Sequence, residues 1–290
     1  MSASLAAGAA LLVVPPIAAH PADEPGTPAK GPVIHTIGGC QIFPADNPWN
    51  TPVDGLPVAG NSDAIINRQA KGSAIHLDLG TTENFYGMPV TVVKQSQSLF
   101  RLRFGVEGEN YGDESDKGPV PIPRTAHIEG WRKSRPNPPS GDRHVVVVRR
   151  GTCDLTELYK AKRMKNSSGQ FTGWRASSAA HWDLSSNALR PKFWTSADAA
   201  GLPILPGLLD YDEAASGSIT HALRFTLPVA RNAFTAPARH CGSTSGKNLP
   251  AYGMRFRLKA GFNENNYTGA AKAVVVAMKQ YGLMYADQGS

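Results

Sequence analysis

Glycine and proline cut this chain into short pieces. With 29 glycines and 23 prolines among 290 residues, the chain favours many turns and short strands over long helices. The pieces between the breaks carry strand patterns. Leu99–Val106 and Ile219–Leu227 alternate apolar and polar residues, as a sheet with one wet face requires. In Gly253–Lys259, Met254, Phe256 and Leu258 share one face while Arg255 and Arg257 share the other. His144–Arg149 is a continuous valine run and reads as a buried strand, with Leu155–Tyr159 as its hairpin partner; Val90–Lys94 is also β-rich. Two helices are expected. Ser62–Ala70 starts on a capping serine with Asp63 in its first turn, and Tyr267–Tyr281 has Thr268 as cap and Gly282 as stop. Ser196–Ala200 could form a further helical turn. The expectation is a mostly β fold, a single-domain β-sandwich or barrel-like sheet system with a few peripheral helices. Its strands should form one sheet system with helix 267–281 packed on it.

The ends and the loops divide the chain simply. Residues 1–22 hold an apolar stretch, Ala3 to Ala19, broken by Pro15-Pro16 and followed by small residues. This has the form of a signal-peptide core with a cleavage zone, although it lacks a basic start. It is too short and broken for a membrane span. Residues 23–37 read as a linker, and 38–290 as one domain in which Arg132–Asp142 and Lys165–Gly173 are surface loops. Three cysteines, Cys40, Cys153 and Cys241, fit an exported protein with one disulfide and one free thiol. Cys40 and Cys153 each sit beside a glycine turn and are the expected pair. The net charge is +7 and the pI about 9.4, but the charge is scattered and no nucleic-acid-binding motif is present. No nucleic acid, membrane, cofactor or metal is expected, and the protein reads as a monomer.

The residues suited to chemistry concentrate in His181–Arg224. This stretch packs two tryptophans, five acidic residues, two histidines and two arginines between short apolar runs. A plain core does not need that mixture, whereas a loop-built polar cleft with aromatic walls does. Asp183 follows Trp182, whose indole could desolvate it and raise its pKa, as a general acid requires. Asp113 and Asp116 lie in a proline-stiffened acidic loop and could supply a partner carboxylate. Asp210 and Asp212 flank Tyr211 and could share a face. Paired carboxylates suit glycoside hydrolysis. His221 and His240 are the candidate histidines, and Arg224 and Arg239 could neutralise an acidic substrate. Trp182 and Trp194 offer stacking faces for sugar, with Asn187 and Tyr211 as further contacts. His76 and Asp78, two apart, could share a metal. No P-loop, dinucleotide-binding glycine motif, nucleophile elbow or HExxH helix occurs.

Several longer motifs carry a resemblance: GCQIFPADNPWN (39–50), YGMPVTVV (86–93), DESDKGPVPIP (113–123), GDRHVVVV (141–148), WDLSSNALRP (182–191), WTSADAAGLPILPGLLDYDE (194–213), HALRFT (221–226), PARH (237–240) and YGLMYADQGS (281–290). Together they resemble a group of secreted bacterial proteins common in soil actinobacteria. The resemblance spans nearly all of the chain after the leader. It implies export and a single domain, and it assigns no catalysis. Cys241 after His240 departs from the pattern, as does the end at Ser290, where similar proteins run on into an aromatic tail. The sequence thus leads to an exported polysaccharide-degrading enzyme. Asp183, Asp113, Asp116, His221 and His240 are its catalytic candidates. Trp182, Trp194, Asn187, Arg224, Arg239 and Tyr211 would bind a polysaccharide substrate. The alternatives are a polysaccharide lyase using His, Arg and Tyr, and a non-catalytic carbohydrate- or cell-wall-binding protein.

Overall fold

A computed structural model describes residues 5–6, 11–14, 35–69, 74–77, 79–80, 87–242 and 246–289. Its strands are β1 (Leu5–Ala6), β2 (Leu11–Val14), β3 (Thr36–Ile37), β4 (Cys40–Gln41), β5 (Ala74–Ile75), β6 (Val90–Val93), β7 (Arg101–Phe104) and β8 (Val145–Arg149), followed by β9 (Asp154–Tyr159), β10 (Lys162–Lys165), β11 (Phe171–Ala176), β12 (Ser178–Asp183), β13 (Leu223–Leu227), β14 (Arg255–Leu258) and β15 (Leu283–Gln288). The helices are α1 (Ser62–Gln69), α2 (Tyr211–Ser216) and α3 (Gly269–Gln280). The fold is β-rich with few helices, as the sequence suggests.

The strands do not join in one sheet. They divide chiefly into β12-β9-β8-β6, β13-β15-β14-β2 and β10-β11-β7, with short pairs β1-β5 and β3-β4 besides. The valine strand β8 explains the layering. Val146 and Val148 point into a large core shared with β13, β14, β15 and α3. Val145 and Val147 point into a second core with Trp174 and Ala176 of β11. The sheet containing β8 is therefore the middle layer, buried on both faces, which is why its strand lacks alternation. Cys40 and Cys153 are bridged, with Cα atoms 5.4 Å apart, and Cys241 is free.

Other local expectations change in physical detail. Arg255 and Arg257 do not face water; both are buried. Arg255 donates to Tyr281 O at 2.6 Å and to Pro48 O, and Arg257 donates to Leu56 O at 3.1 Å. The alternation was real, but backbone carbonyls rather than solvent receive the second face. Ser62 does not cap α1 in the expected way: its hydroxyl accepts from Val13 N at 3.0 Å and so ties β2 to the helix. Thr268 sits at the N-cap of α3 but makes no side-chain cap bond. Gly282 ends α3 at φ 76°, where a Cβ would meet Phe256 O at 2.3 Å, so no other residue fits. Ser196–Ala200 is a turn rather than a helix. Part of the stretch read as a leader, residues 11–14, is strand β2 on the edge of a sheet, paired antiparallel to β14. Asp78 lies outside the described residues. No helix among the described residues is long and apolar enough to cross a membrane.

Candidate functional site

Parts of four of the motifs singled out in the sequence, at 113–123, 182–191, 194–213 and 237–240, meet around one residue, Arg190. It follows β12 on the loop between the two tryptophans. Its side chain is buried, and each of its three nitrogens has a partner. Nε donates to Thr195 O at 2.9 Å, Nη2 to Glu114 O at 3.2 Å, and Nη1 to the Asp116 carboxylate. Its guanidinium carbon lies 5.4 Å from the ring centre of Trp182 and 5.7 Å from that of Trp194, within cation–π range. Asp116 also accepts from His181 N at 2.9 Å. Arg239 donates to Arg190 O at 2.8 Å. This one arginine clips the acidic loop, β12 and the 190–195 loop together. A cleft of about 30 Å³ opens beside it, lined among others by Asn47, Trp49, Trp182, Asn187 and Leu202. On its rim Asn47 donates to Asn187 Oδ1 and Asn187 to Asp46 Oδ1, both at 2.8 Å.

A polar set beneath the cleft holds the loop that follows. Ser178 donates to Ser196 O at 2.7 Å. His144 Nε2 meets Ala197 O at 3.1 Å while its Nδ1 meets Glu129 at 2.7 Å. Arg224 forms a two-pronged pair with buried Asp198. Asp287 accepts from Ala199 N at 3.2 Å, and Glu157 accepts from Ile204 N and Leu205 N at 2.9–3.0 Å. His240 Nδ1 meets Ala199 O at 2.7 Å. Gly201 in the same loop has φ 67°, and a Cβ there would come within 2.6 Å of Trp194 O. Charged residues that looked like site groups are thus anchors for residues 196–205. Low dielectric makes such anchors strong when fully partnered.

Each sequence candidate can now be located. Trp182, Trp194, Asp116, Arg239 and His240 stand in the Arg190 cluster, with Asn187 on its rim. His240 joins through Glu114, whose Oε2 lies 3.4 Å from His240 Nε2. Asp113 is exposed and pairs with Lys117 at 3.4 Å. Arg224 turns inward to Asp198 rather than toward the cleft. Tyr211 is exposed at the start of α2. Asp210 and Asp212 do not pair: Asp210 Oδ1 caps α2 by accepting from Asp212 N at 2.8 Å and Glu213 N at 3.3 Å. Asp183 differs most from expectation. It is exposed and accepts from both the Ser185 hydroxyl at 2.6 Å and Ser185 N at 2.8 Å. Those bonds hold its pKa below the ordinary carboxylate value. The indole of Trp182 does not desolvate it, because successive strand residues point to opposite faces.

His221 belongs to a separate buried group under α2. Its Nε2 lies 3.1 Å from Glu213 Oε2, and its ring stacks on His35 with centres 5.4 Å apart. Sequence reading missed Arg190, Asn47 and His35, the partner of His221. Arg190 carried a usable signal, since it lies between two tryptophans in a loop. His35 carried none, being far from His221 along the chain. No family model, curated protein or solved structure matches this chain.

Proposed function

We propose that the protein is an exported polysaccharide-binding protein whose contact surface centres on the exposed ring of Phe193, in the loop that carries Arg190. The observation that carries this reading is Phe193 itself. Its backbone has φ 68° and its side chain is 61% exposed. A left-handed backbone costs a bulky L-residue roughly 1–2 kcal/mol, so the loop spends stability to present an aromatic ring to solvent. The ring is held edge-on by Phe234, with centres 5.6 Å apart, and Lys192 Nζ lies 5.0 Å from its centre. Leu189, 49% exposed, extends the apolar rim. An aromatic face beside an ammonium group suits the C–H faces and hydroxyls of a sugar. Lys192 and the net charge of +7 favour an acidic glycan. The carboxylates expected to be catalytic each have a partner: Asp116 has Arg190, Asp183 has Ser185 and Asp113 has Lys117. The Cys40–Cys153 bridge suits an oxidising compartment.

The test is a panel of glucans, chitosan, pectin and uronans in affinity gels, with assays for reducing ends and unsaturated sugar. Retention on an acidic polymer without product is expected, and Phe193→Ala should weaken it up to about tenfold, as loss of one stacked ring does. Failure to bind any polymer overturns the reading. Release of reducing ends would favour hydrolysis instead. That second reading rests on the Glu114–His240 pair, because Glu114 Oε2 is buried without a hydrogen bond. Glu114→Gln would then abolish release.

A further inference from the structure

We propose that His35, Glu213 and His221 form a zinc site, independent of the polysaccharide-binding reading. Three segments bring them together: the residue before β3, helix α2 and the residues leading into β13. His35 Nδ1, Glu213 Oε2 and His221 Nε2 all lie within 4.8 Å of one another. His221 Nε2 is 3.1 Å from Glu213 Oε2, and His35 Nδ1 is 3.5 Å from the same oxygen. Two ligand atoms 2.0–2.1 Å from a tetrahedral zinc are about 3.3 Å apart, so both separations fit one shared ion.

The hydrogen-bond partners argue the same way. His221 Nδ1 lies 2.9 Å from Ala222 O, a carbonyl that can only accept, so Nδ1 carries a hydrogen. That leaves Nε2 as the nitrogen that meets the carboxylate, 3.1 Å away, or an ion held between them. A backbone carbonyl on the far nitrogen is the usual support of a metal-bound imidazole. His35 Nδ1 is buried and makes no hydrogen bond, and the side chain is only 7% exposed. Three potential ligand atoms therefore converge. A proton between His221 and Glu213 satisfies one contact and leaves His35 unpartnered, whereas a divalent cation satisfies all three. Glu213 and the nearby charge of Asp210, which also acts on His35, balance a dication. Two imidazoles and one carboxylate select zinc over calcium or magnesium. Water would complete the fourth position, and the ion would tie the segment ahead of β3 to α2.

The experiment uses the full chain, stripped with a chelator and dialysed, with Zn²⁺ alone as the probe. Binding is read by competition with a chromogenic chelator, and Co²⁺ replaces Zn²⁺ for visible spectra. One equivalent should bind, raise the Tm and give the intense d–d bands of a tetrahedral site. His35→Gln and Glu213→Gln should weaken binding by more than the roughly 10–100-fold that loss of an outer-shell partner costs. His127→Gln, an exposed histidine stacked on Trp131, should bind as the parent does. Circular dichroism checks that His35→Gln is folded; should His221→Gln fail to fold, the His35 variant still decides. No uptake, or equal uptake by folded His35→Gln, overturns the site.

Discussion

His144 illustrates how single buried side chains set the pH response of this protein. Both its ring nitrogens face acceptors, Glu129 and Ala197 O, so both must donate and the ring is charged. Burial opposes that charge, but the hydrogen bond and the charge of Glu129, with Asp198 behind, raise its pKa to about 8. Glu157 moves in the same direction for another reason. Burial lifts it to about 7 against the pull of two backbone N–H groups. Asp287 is raised by burial and by the charge of Asp198. In each case the folded state keeps a proton that the unfolded chain releases at lower pH. Their contribution is complete below the unfolded pKa values, about 4–6.5, and is lost as pH rises through 7 and 8. Glu129 is lowered, its pairing with His144 outweighing burial. Glu107, lowered to about 2 by hydrogen bonds from Lys162 and Arg143, behaves likewise, and both lose stability only in acid. Stability should therefore peak near pH 5 and fall by a few kcal/mol toward pH 8. Thermal melts across that range should show it, and a Tm that rises over the interval contradicts the assignment. Glu157→Gln keeps an acceptor for Ile204 and Leu205 but cannot ionise, so it should flatten the fall between pH 5 and 7.

Strands and helices respond to their neighbours more than to their own composition, and β2 gives the clearest case. Leu11, Val13 and Val14 are buried where the edge strand β2 pairs with β14. Each buried aliphatic side chain contributes about 1.5–3 kcal/mol. A chain lacking residues 1–22 should therefore unfold at lower urea, with at least about 3 kcal/mol less stability. Equal midpoints for the two chains would mean that β2 contributes nothing to the folded domain. Where the sequence was readable, the reason was local. The valines of β8, the alternation of β7, whose Arg101 and Arg103 are exposed while Leu102 and Phe104 are not, and the Gly282 stop of α3 each follow from backbone or burial rules within a few residues; β13, expected to have one wet face, has no exposed residue because Arg224 turns inward to Asp198. Other strands have no such marks. β12 begins with small residues, Ser178, Ala179 and Ala180, and becomes a strand only through pairing with β9. β15 lies between β13 and β14, buried along Leu283–Ala286, so it has no polar face to alternate with. The site divides in the same way. The tryptophans, Asp116, Asn187 and His240 could be found because a polar, aromatic loop is unusual in sequence. Arg190 as their hub, Asp183 as a turn cap and Arg224 as an inward anchor could not, because each is decided by which carboxylate or carbonyl the fold delivers to it.

Across the whole molecule, one covalent tie joins the strand pair near the N-terminus to the middle sheet. Cys40 lies in β4 and Cys153 at the turn between β8 and β9. Both belong to or pack against the large core. The bridge spans 113 residues of sequence, so the open chain has much freedom to lose, and the β3–β4 pair is held to the middle sheet through it. Replacing both cysteines by serine should cost about 2–4 kcal/mol, the usual worth of a native bridge. Urea unfolding of the Cys40→Ser/Cys153→Ser double variant measures this. Thiol titration supplies an independent check. The denatured but unreduced protein should show one reactive thiol, Cys241, and the reduced protein three. Three thiols before reduction would mean the bridge does not form, and the double substitution should then be nearly silent. If the bridge forms and its loss still costs nothing, the β3–β4 pair must be held by its noncovalent neighbours alone. Among these Asn50 is the first to test, since its side-chain amide donates to Ile42 O and Pro44 O at 2.9 Å, and Asn50→Ala should then destabilise the bridged and the serine-substituted chains by the same amount.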